Sequence, residues 1–331
     1  MSDTAQDIPL ESARGSRYAS WQRYVAAAVL GALAALVALF TVFALLWGTG
    51  NLPPPALSNN LCVDEKLAFM RENPPATATL LVVGSSVAWR HIDSSILAKA
   101  WRDTVPYNAG FCGLNITETV VVTDWLLRRV PTVRDVLLVV APQDFQACRR
   151  RGGAPFTIAE ADRFVFEDSW RWGYYLRYFD PISLLRNALS IARLRQWPNA
   201  GETLFINHYG DAPMDPGPRA KLVYGRIAAL DSSCFAALRD LAQGLRGRGI
   251  RLGIVLTPLH PQWEELYDAS GRIRRAMVEG IDAAIAGSGA IVQNGMALFD
   301  SRPEVFSDAI HLRWPAAQRF TERLADSALA P

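Results

Sequence analysis

The chain has 331 residues, half of them hydrophobic and a fifth charged, with a formal net charge of +2. A chain of this length can bury one sizeable core, and its composition excludes wholesale disorder. The small net charge gives no broad basic surface, so no nucleic-acid partner is expected.

The first 23 residues are polar, and the run from Tyr24 to Trp47 contains no charged side chain. As a helix that run reaches about 36 Å, enough to cross a hydrocarbon core of about 30 Å. A signal peptide has a shorter apolar region, of about 7–15 residues, and a small-residue cleavage site, which Phe43 to Trp47 does not offer. An uncleaved transmembrane helix over 24–47 is therefore predicted, with Tyr24 and Trp47 as interfacial aromatics. Arg14, Arg17 and Arg23 precede it, and the next basic residue is Lys66. That asymmetry puts the N-terminus in the cytoplasm and the rest outside. In a Gram-negative cell this means an inner-membrane anchor and a periplasmic domain.

Residues 48–78, with their prolines and asparagines, are predicted to tether an extracytoplasmic domain spanning 79–331. Leu80 to Val83 reads as a strand buried on both faces of a parallel sheet. Gly84 permits a sharp bend, Ser85 and Ser86 follow at once, and Ile92 to Trp101 has helical spacing. A strand that turns into a helix presents a hydroxyl at the C-terminal edge of a sheet, where open α/β folds keep their sites. A second strand over Thr104–Asn108 ends in a loop whose glycines, Gly110 and Gly113, let backbone N–H groups face a ligand. Asn115 to Val130 reads as a helix opened by a capping box of Asn115 and Glu118. A third strand, Val136–Val140, ends in Ala141-Pro142-Gln143-Asp144.

Alternation then stops. An aromatic-rich insertion at about 149–218 is too long for a bare connection and is predicted to form a helical cap. Its aromatics either pack the cap onto the sheet, or line an acceptor groove or face a membrane partner. Arg149, Arg150 and Arg151 either form a solvated face or meet an anionic substrate. Beyond it come a helix over Ala220–Gly249, a fourth strand over Ile250–Leu256 and a helix over Pro261–Ala286. A fifth strand over Ala290–Gln293, the loop Asp308-Ala309-Ile310-His311 and a helix over Trp314–Ala328 complete the chain. The fold class expected is α/β: a doubly wound, mainly parallel five-stranded sheet. The four cysteines suit an oxidising compartment. Cys112 and Cys148 each follow a strand on the same side of the sheet, so a bridge between them is one pairing the sequence allows. No CxxC or clustered Cys/His spacing points to zinc, and no cofactor is expected.

With these pieces in order, the chain resembles the SGNH (GDSL-like) hydrolase superfamily. The resemblance rests on four short blocks between about residues 79 and 325. Gly84-Ser85-Ser86 occupies the Gly-Asp-Ser block, which makes Ser86 the implied nucleophile. Gly113 falls on the oxyanion glycine, Gln143 stands where the family has an Asn, and Asp308 and His311 match Asp-x-x-His. The Gly-Ser-Ser and Pro-Gln departures are similar to the membrane-anchored branch of DltD and the periplasmic polysaccharide O-acetylation proteins. That branch implies an envelope glycan as substrate and an MBOAT-type acyltransferase as partner.

The chemistry is coherent. A serine hydroxyl needs a base within hydrogen-bond reach. His311 would take the Ser86 proton on Nε2 while Asp308 holds Nδ1–H. The backbone N–H groups of Ser86 and Gly113 and the Gln143 amide are the candidate oxyanion donors. Each residue also has a structural alternative. Ser86 or Ser85 would serve as a helix N-cap, His311 as a packed residue, Asp308 as a turn residue and Gly113 as backbone geometry alone. Asp144 is expected to brace its loop and His260 to shape its own, with substrate contact as the alternative for His260. His91 and His208 are expected at the surface or in the cap. Three functions therefore stand at this point: an acyltransferase, an esterase with the same residues, and a non-catalytic docking or glycan-binding module.

Overall fold

The computed structural model describes residues 11–151, 153–167, 169–196, 206–214, 222 and 226–329. It divides into two compact units, residues 1–52 and 53–331. The first holds α1 (Glu11–Gly48), within which Ser20–Gly48 is long and apolar enough to cross a membrane. The helix starts ahead of the apolar run predicted from sequence, and the first ten residues of the predicted tail lie outside the described residues.

The segment expected to be a bare tether contains α2 (Leu61–Glu72), a core helix of the second unit. Its buried Val63, Leu67 and Met70 fall at helical spacing, and Asn60 caps it by accepting from the Cys62 N–H. β1 (Leu80–Gly84) follows, and the helix expected over Ile92–Trp101 is preceded by a short one that was not predicted. The short one is α3 (Ser86–His91) and the expected one α4 (Ser94–Ala100), separated because Asp93 caps the second through the Ser95 N–H and hydroxyl. β2 is only Pro106–Asn108, and α5 (Ile116–Arg129) opens on the expected reciprocal Asn115–Glu118 cap. β3 (Asp135–Val140) runs into a 3₁₀ turn at Pro142–Phe145.

The insertion forms α6 (Ile158–Phe166), α7 (Arg171–Arg177) and α8 (Pro181–Gln196); its end near 218 lies outside the described residues. α9 (Ser232–Gly247) is shorter than the predicted helix because Asp231 caps it through the Ser233 N–H. The earlier start predicted at Ala220 lies outside the described residues. After β4 (Arg251–Leu256), the helix expected over Pro261–Ala286 breaks into α10 (Pro261–Tyr267) and α11 (Arg272–Ile285). The break falls at Gly271, which is left-handed at φ +65°. β5 (Ile291–Asn294), α12 (Gly295–Leu298) and α13 (Trp314–Ala325) complete the unit.

All five strands are parallel, in the order β2-β1-β3-β4-β5, the doubly wound arrangement of flavodoxin-like sheets. Alternate residues feed opposite cores. Leu81, Val83, Leu138, Val140, Ile254 and Leu256 face α2, α5, α9 and α11. Leu80, Val82, Leu137, Val139 and Val255 face α3, α4 and α13. Burial on both sides explains why these strands read as uninterrupted apolar runs.

The cysteines pair as Cys62–Cys112 and Cys148–Cys234, so the Cys112–Cys148 bridge considered from sequence does not form. The partners come from α2 and α9, and α2 was not legible as part of the core. Cys62 thereby pins the loop after β2, and Cys234 pins the loop after β3.

Candidate functional site

The site lies beyond the carboxyl ends of β1, β2 and β3, where the loops converge. Gly84 makes the turn out of β1 at φ +143°, and a Cβ there would meet the Val139 carbonyl oxygen at 2.3 Å. Only glycine allows β1 to pass this close to β3 and still deliver Ser86 to the start of α3. Ser85 is the N-cap, its hydroxyl accepting from the Val87 N–H at 3.4 Å. Of the two serines, Ser85 thus serves as the cap, which leaves the Ser86 hydroxyl to face His311.

Ser86 Oγ lies 2.8 Å from His311 Nε2. His311 Nδ1 lies 2.9 Å from Asp308 Oδ2 and 3.1 Å from Oδ1. These three residues, separated by 225 positions in sequence, make a continuous Ser–His–Asp hydrogen-bonded chain. Asp308 also accepts the backbone N–H groups of Ile310 and His311, which folds the loop around its own carboxylate. Burial raises the Asp308 pKa, but hydrogen bonds from the His311 ring and these amides outweigh it and hold the carboxyl well below its usual range. An anionic Asp308 in turn favours the His311 tautomer whose bare Nε2 faces the serine.

A cleft of about 320 Å³ opens over this chain, lined among others by Ser86, Gly113, Gln143, Arg90, Arg151 and His311. Gly113 is left-handed at φ +71° and a Cβ there would meet nothing, so its backbone conformation rather than crowding selects glycine. Both polar atoms of the Gln143 amide are buried and have no hydrogen-bond partner among the described residues. A buried amide left unpaired in a cleft is suited to a ligand atom. Asp144 also lines the cleft and braces the turn, accepting the Ala141 N–H at 2.8 Å. Burial pushes its carboxyl up to about 7, against hydrogen bonds from that amide and the Ser85 side chain.

His260 does not line the cleft. Its Nδ1 accepts the Gln262 N–H, and its backbone N–H donates to the Ala309 carbonyl, so it shapes the neighbouring loop. Burial lowers its pKa, with the charge of Asp308 opposing. None of the described aromatic side chains of α6, α7 or α8 lines the cleft; the insertion contributes Arg151 instead. Tyr174 and Tyr175 are buried among neighbouring residues, while Trp170 is exposed.

Two buried residues were missed from sequence. His91, expected at the surface or in the cap, is fully buried beneath the site, and its Nε2 accepts the Leu312 N–H at 2.9 Å. Burial first, and then the neighbouring His311, holds its pKa well below the usual imidazole range. His208 is exposed. Lys66 is also fully buried, its ammonium donating to the carbonyls of Asn108 and Gly210 at 2.6 Å each. Asn108 donates to Asp211, which also accepts from Ser94 and Asn207. Burial drives Lys66 down to about 7, with Asp211 opposing. This network ties the loop after β2 to the helices that carry and follow Ser86. A lone histidine and a lone lysine carry no sequence signal of such burial.

Among the described residues, no group of three His, Cys, Asp or Glu side chains could hold a metal ion. Neither a scan against family models nor a search of curated proteins finds a match for this chain.

Proposed function

We propose that the chain is a membrane-anchored serine acyl-ester enzyme of the cell envelope, transferring an acetyl or other small acyl group to an extracytoplasmic glycan. The observation that carries this reading is the Ser86–His311–Asp308 chain, with hydrogen-bond distances of 2.8 and 2.9 Å, at the edge of a cleft. In the reaction, His311 Nε2 takes the Ser86 proton as Oγ attacks the donor carbonyl. The oxygen of the tetrahedral intermediate is met by the Gln143 amide and the N–H groups of Ser86 and Gly113. His311 returns the proton to the leaving group, and an acyl-serine remains. A glycan hydroxyl, deprotonated by the same histidine, then attacks the acyl carbon, and His311 passes that proton to Ser86 Oγ as the acyl–serine bond breaks.

The cleft volume suits a small acyl group joined to part of a sugar. Two disulfides on the C-terminal side of the apolar helix support an oxidising, extracytoplasmic setting for this unit. The arginines ahead of that helix support a cytoplasmic N-terminus and a single inner-membrane span. The resemblance to membrane-anchored SGNH proteins adds the expectation of an MBOAT-type partner that supplies acyl groups across the membrane.

A second reading, hydrolysis by the same residues, is favoured by one observation: no described aromatic of the insertion covers the cleft to exclude water. Incubating the full chain with an activated acetyl ester and a carbohydrate acceptor tests both. Acyl mass on the Ser86 peptide, lost in Ser86→Ala, is expected. Ester on the carbohydrate identifies transfer, and free acetate alone identifies hydrolysis. No adduct on either Ser85 or Ser86, with no turnover, would falsify both enzymatic readings.

A further inference from the structure

The outer face of α8 reverses the usual distribution of side chains. Ser183 and Asn187 are buried with Ala188 and Ile191. Ile182, Leu185 and Leu189 are turned outward, at 77 %, 63 % and 58 % exposure. At 3.6 residues per turn, these three and the exposed Arg186 and Arg193 fall within about 100° of the helix circumference. The preceding helix adds exposed Leu176, and Trp170 just before it is exposed as well. From 171 to 196 the sequence holds five arginines and one acidic residue, Asp180. Asp180 is spent at the helix start, where its carboxylate accepts the N–H groups of Ile182 and Ser183.

A short stretch of chain joins the unit that carries this face to the apolar helix. Tyr175 of α7 donates its buried hydroxyl to the Pro53 carbonyl at 2.8 Å. Pro53 follows the end of the apolar helix at Gly48 by five residues, which reach at most about 18 Å when extended. Any bilayer that α1 crosses is therefore joined to Pro53 by only a short length of chain.

We propose that the exposed face of α8 is a membrane-docking surface, with Ile182, Leu185 and Leu189 seated in the interfacial region of an anionic bilayer and Arg186 and Arg193 on its phosphates. Apolar side chains flanked by long cationic ones are the pattern of helices that lie in the interface. The arginine stems run along the apolar surface while their guanidinium groups reach the headgroups. The proposal rests on α1 being a membrane span and is independent of the chemistry at Ser86.

The test uses the full chain in vesicles of phosphatidylglycerol and phosphatidylcholine. All four native cysteines are disulfide-bonded, so a single new cysteine at position 185 or 189 accepts a nitroxide label. Leu266 on α10, also exposed, is the reference site. Collision with oxygen is expected to rise, and with a water-soluble nickel chelate to fall, several-fold at 185 and 189 relative to 266. Arg186→Glu with Arg193→Glu is expected to return the label at 185 toward the reference while the thermal midpoint is unchanged. Labels at 185 and 189 that match 266 overturn the proposal. Labels shielded from both reagents overturn it in favour of contact between two copies. A charge-reversed protein that melts normally and keeps the lipid signature overturns the role given to the anionic headgroups.

Discussion

The Leu312 amide donates to Nε2 of His91 at 2.9 Å, so the residue after the candidate base hangs on a second histidine buried beneath it. The two rings stand edge to face, 6.1 Å apart. Because it accepts this bond, His91 is neutral in the folded protein, and the position of His311 depends on its staying so.

His91 therefore makes stability sensitive to acid. Its folded pKa lies below the ordinary value of about 6.5, so under more acidic conditions the unfolded chain binds the extra proton. Stability contributed by neutral His91 is full above about pH 6.5 and is lost as pH falls below it. Asp144, raised to about 7, contributes a slope of opposite sign below that pH, so the His91 effect is read as a difference. In thermal melts between about pH 5 and 8, the acid loss should be smaller in His91→Gln, which keeps an acceptor for Leu312, than in the native chain. His91→Ala leaves the buried amide unpaired and should cost about 1–3 kcal/mol throughout.

The two serines should separate cleanly. Ser86→Ala is expected to lower turnover of an activated ester by about 10⁴-fold or more while leaving the melting temperature near its original value. Ser85→Ala should keep the acyl adduct but lose about 1 kcal/mol of stability with the helix cap. Asp308→Asn should keep the fold and lower kcat by about 10⁴ through the wrong histidine tautomer. Steady-state kinetics beside thermal melts distinguish all three.

Gln143 offers the sharpest contrast between activity and stability. Its amide has no hydrogen-bond partner among the described residues, so Gln143→Leu removes an unpaired buried polar group. Stability should hold or rise. If the amide serves the oxyanion, kcat falls about 10²–10³-fold. Unchanged kcat would remove Gln143 from the mechanism.

The Cys62–Cys112 bridge should support activity as well as folding. Removing a native disulfide costs about 2–5 kcal/mol, and this one holds the loop that carries Gly113. Cys62→Ser with Cys112→Ser is therefore expected to lower the melting temperature and to reduce turnover even well below the new midpoint. Cys148→Ser with Cys234→Ser serves as the comparison for the third loop.

The sheet was legible because its central strands are buried on both faces and so appear as runs such as Leu80–Val83 and Val136–Val140. The Ser86, Asp308 and His311 set was legible because its motifs are local, and so was the Asn115–Glu118 cap. What stayed hidden has a common cause. α2 escaped notice because charged Asp64 and Lys66 lie among its core positions, and both are buried. Lysine is almost never fully buried without compensation, and its partners here are carbonyls 42 and 144 residues away. Disulfide pairing failed for the same reason: Cys62 could be chosen only once α2 was known to lie beside the loop after β2. The break at Gly271 was masked by apolar spacing that continues across it, and α3 is too short to show a helical period of its own.

With Cys62 joined to Cys112, the 50-position stretch between them becomes a covalent macrocycle, and Ser86 rides inside it. A protease that nicks the exposed turn at Arg102–Asp103 opens that ring without parting the molecule. Both halves of the scaffold around Ser86 stay joined until the sulfurs are reduced, so nicked protein should run as one species before reduction and as two after it.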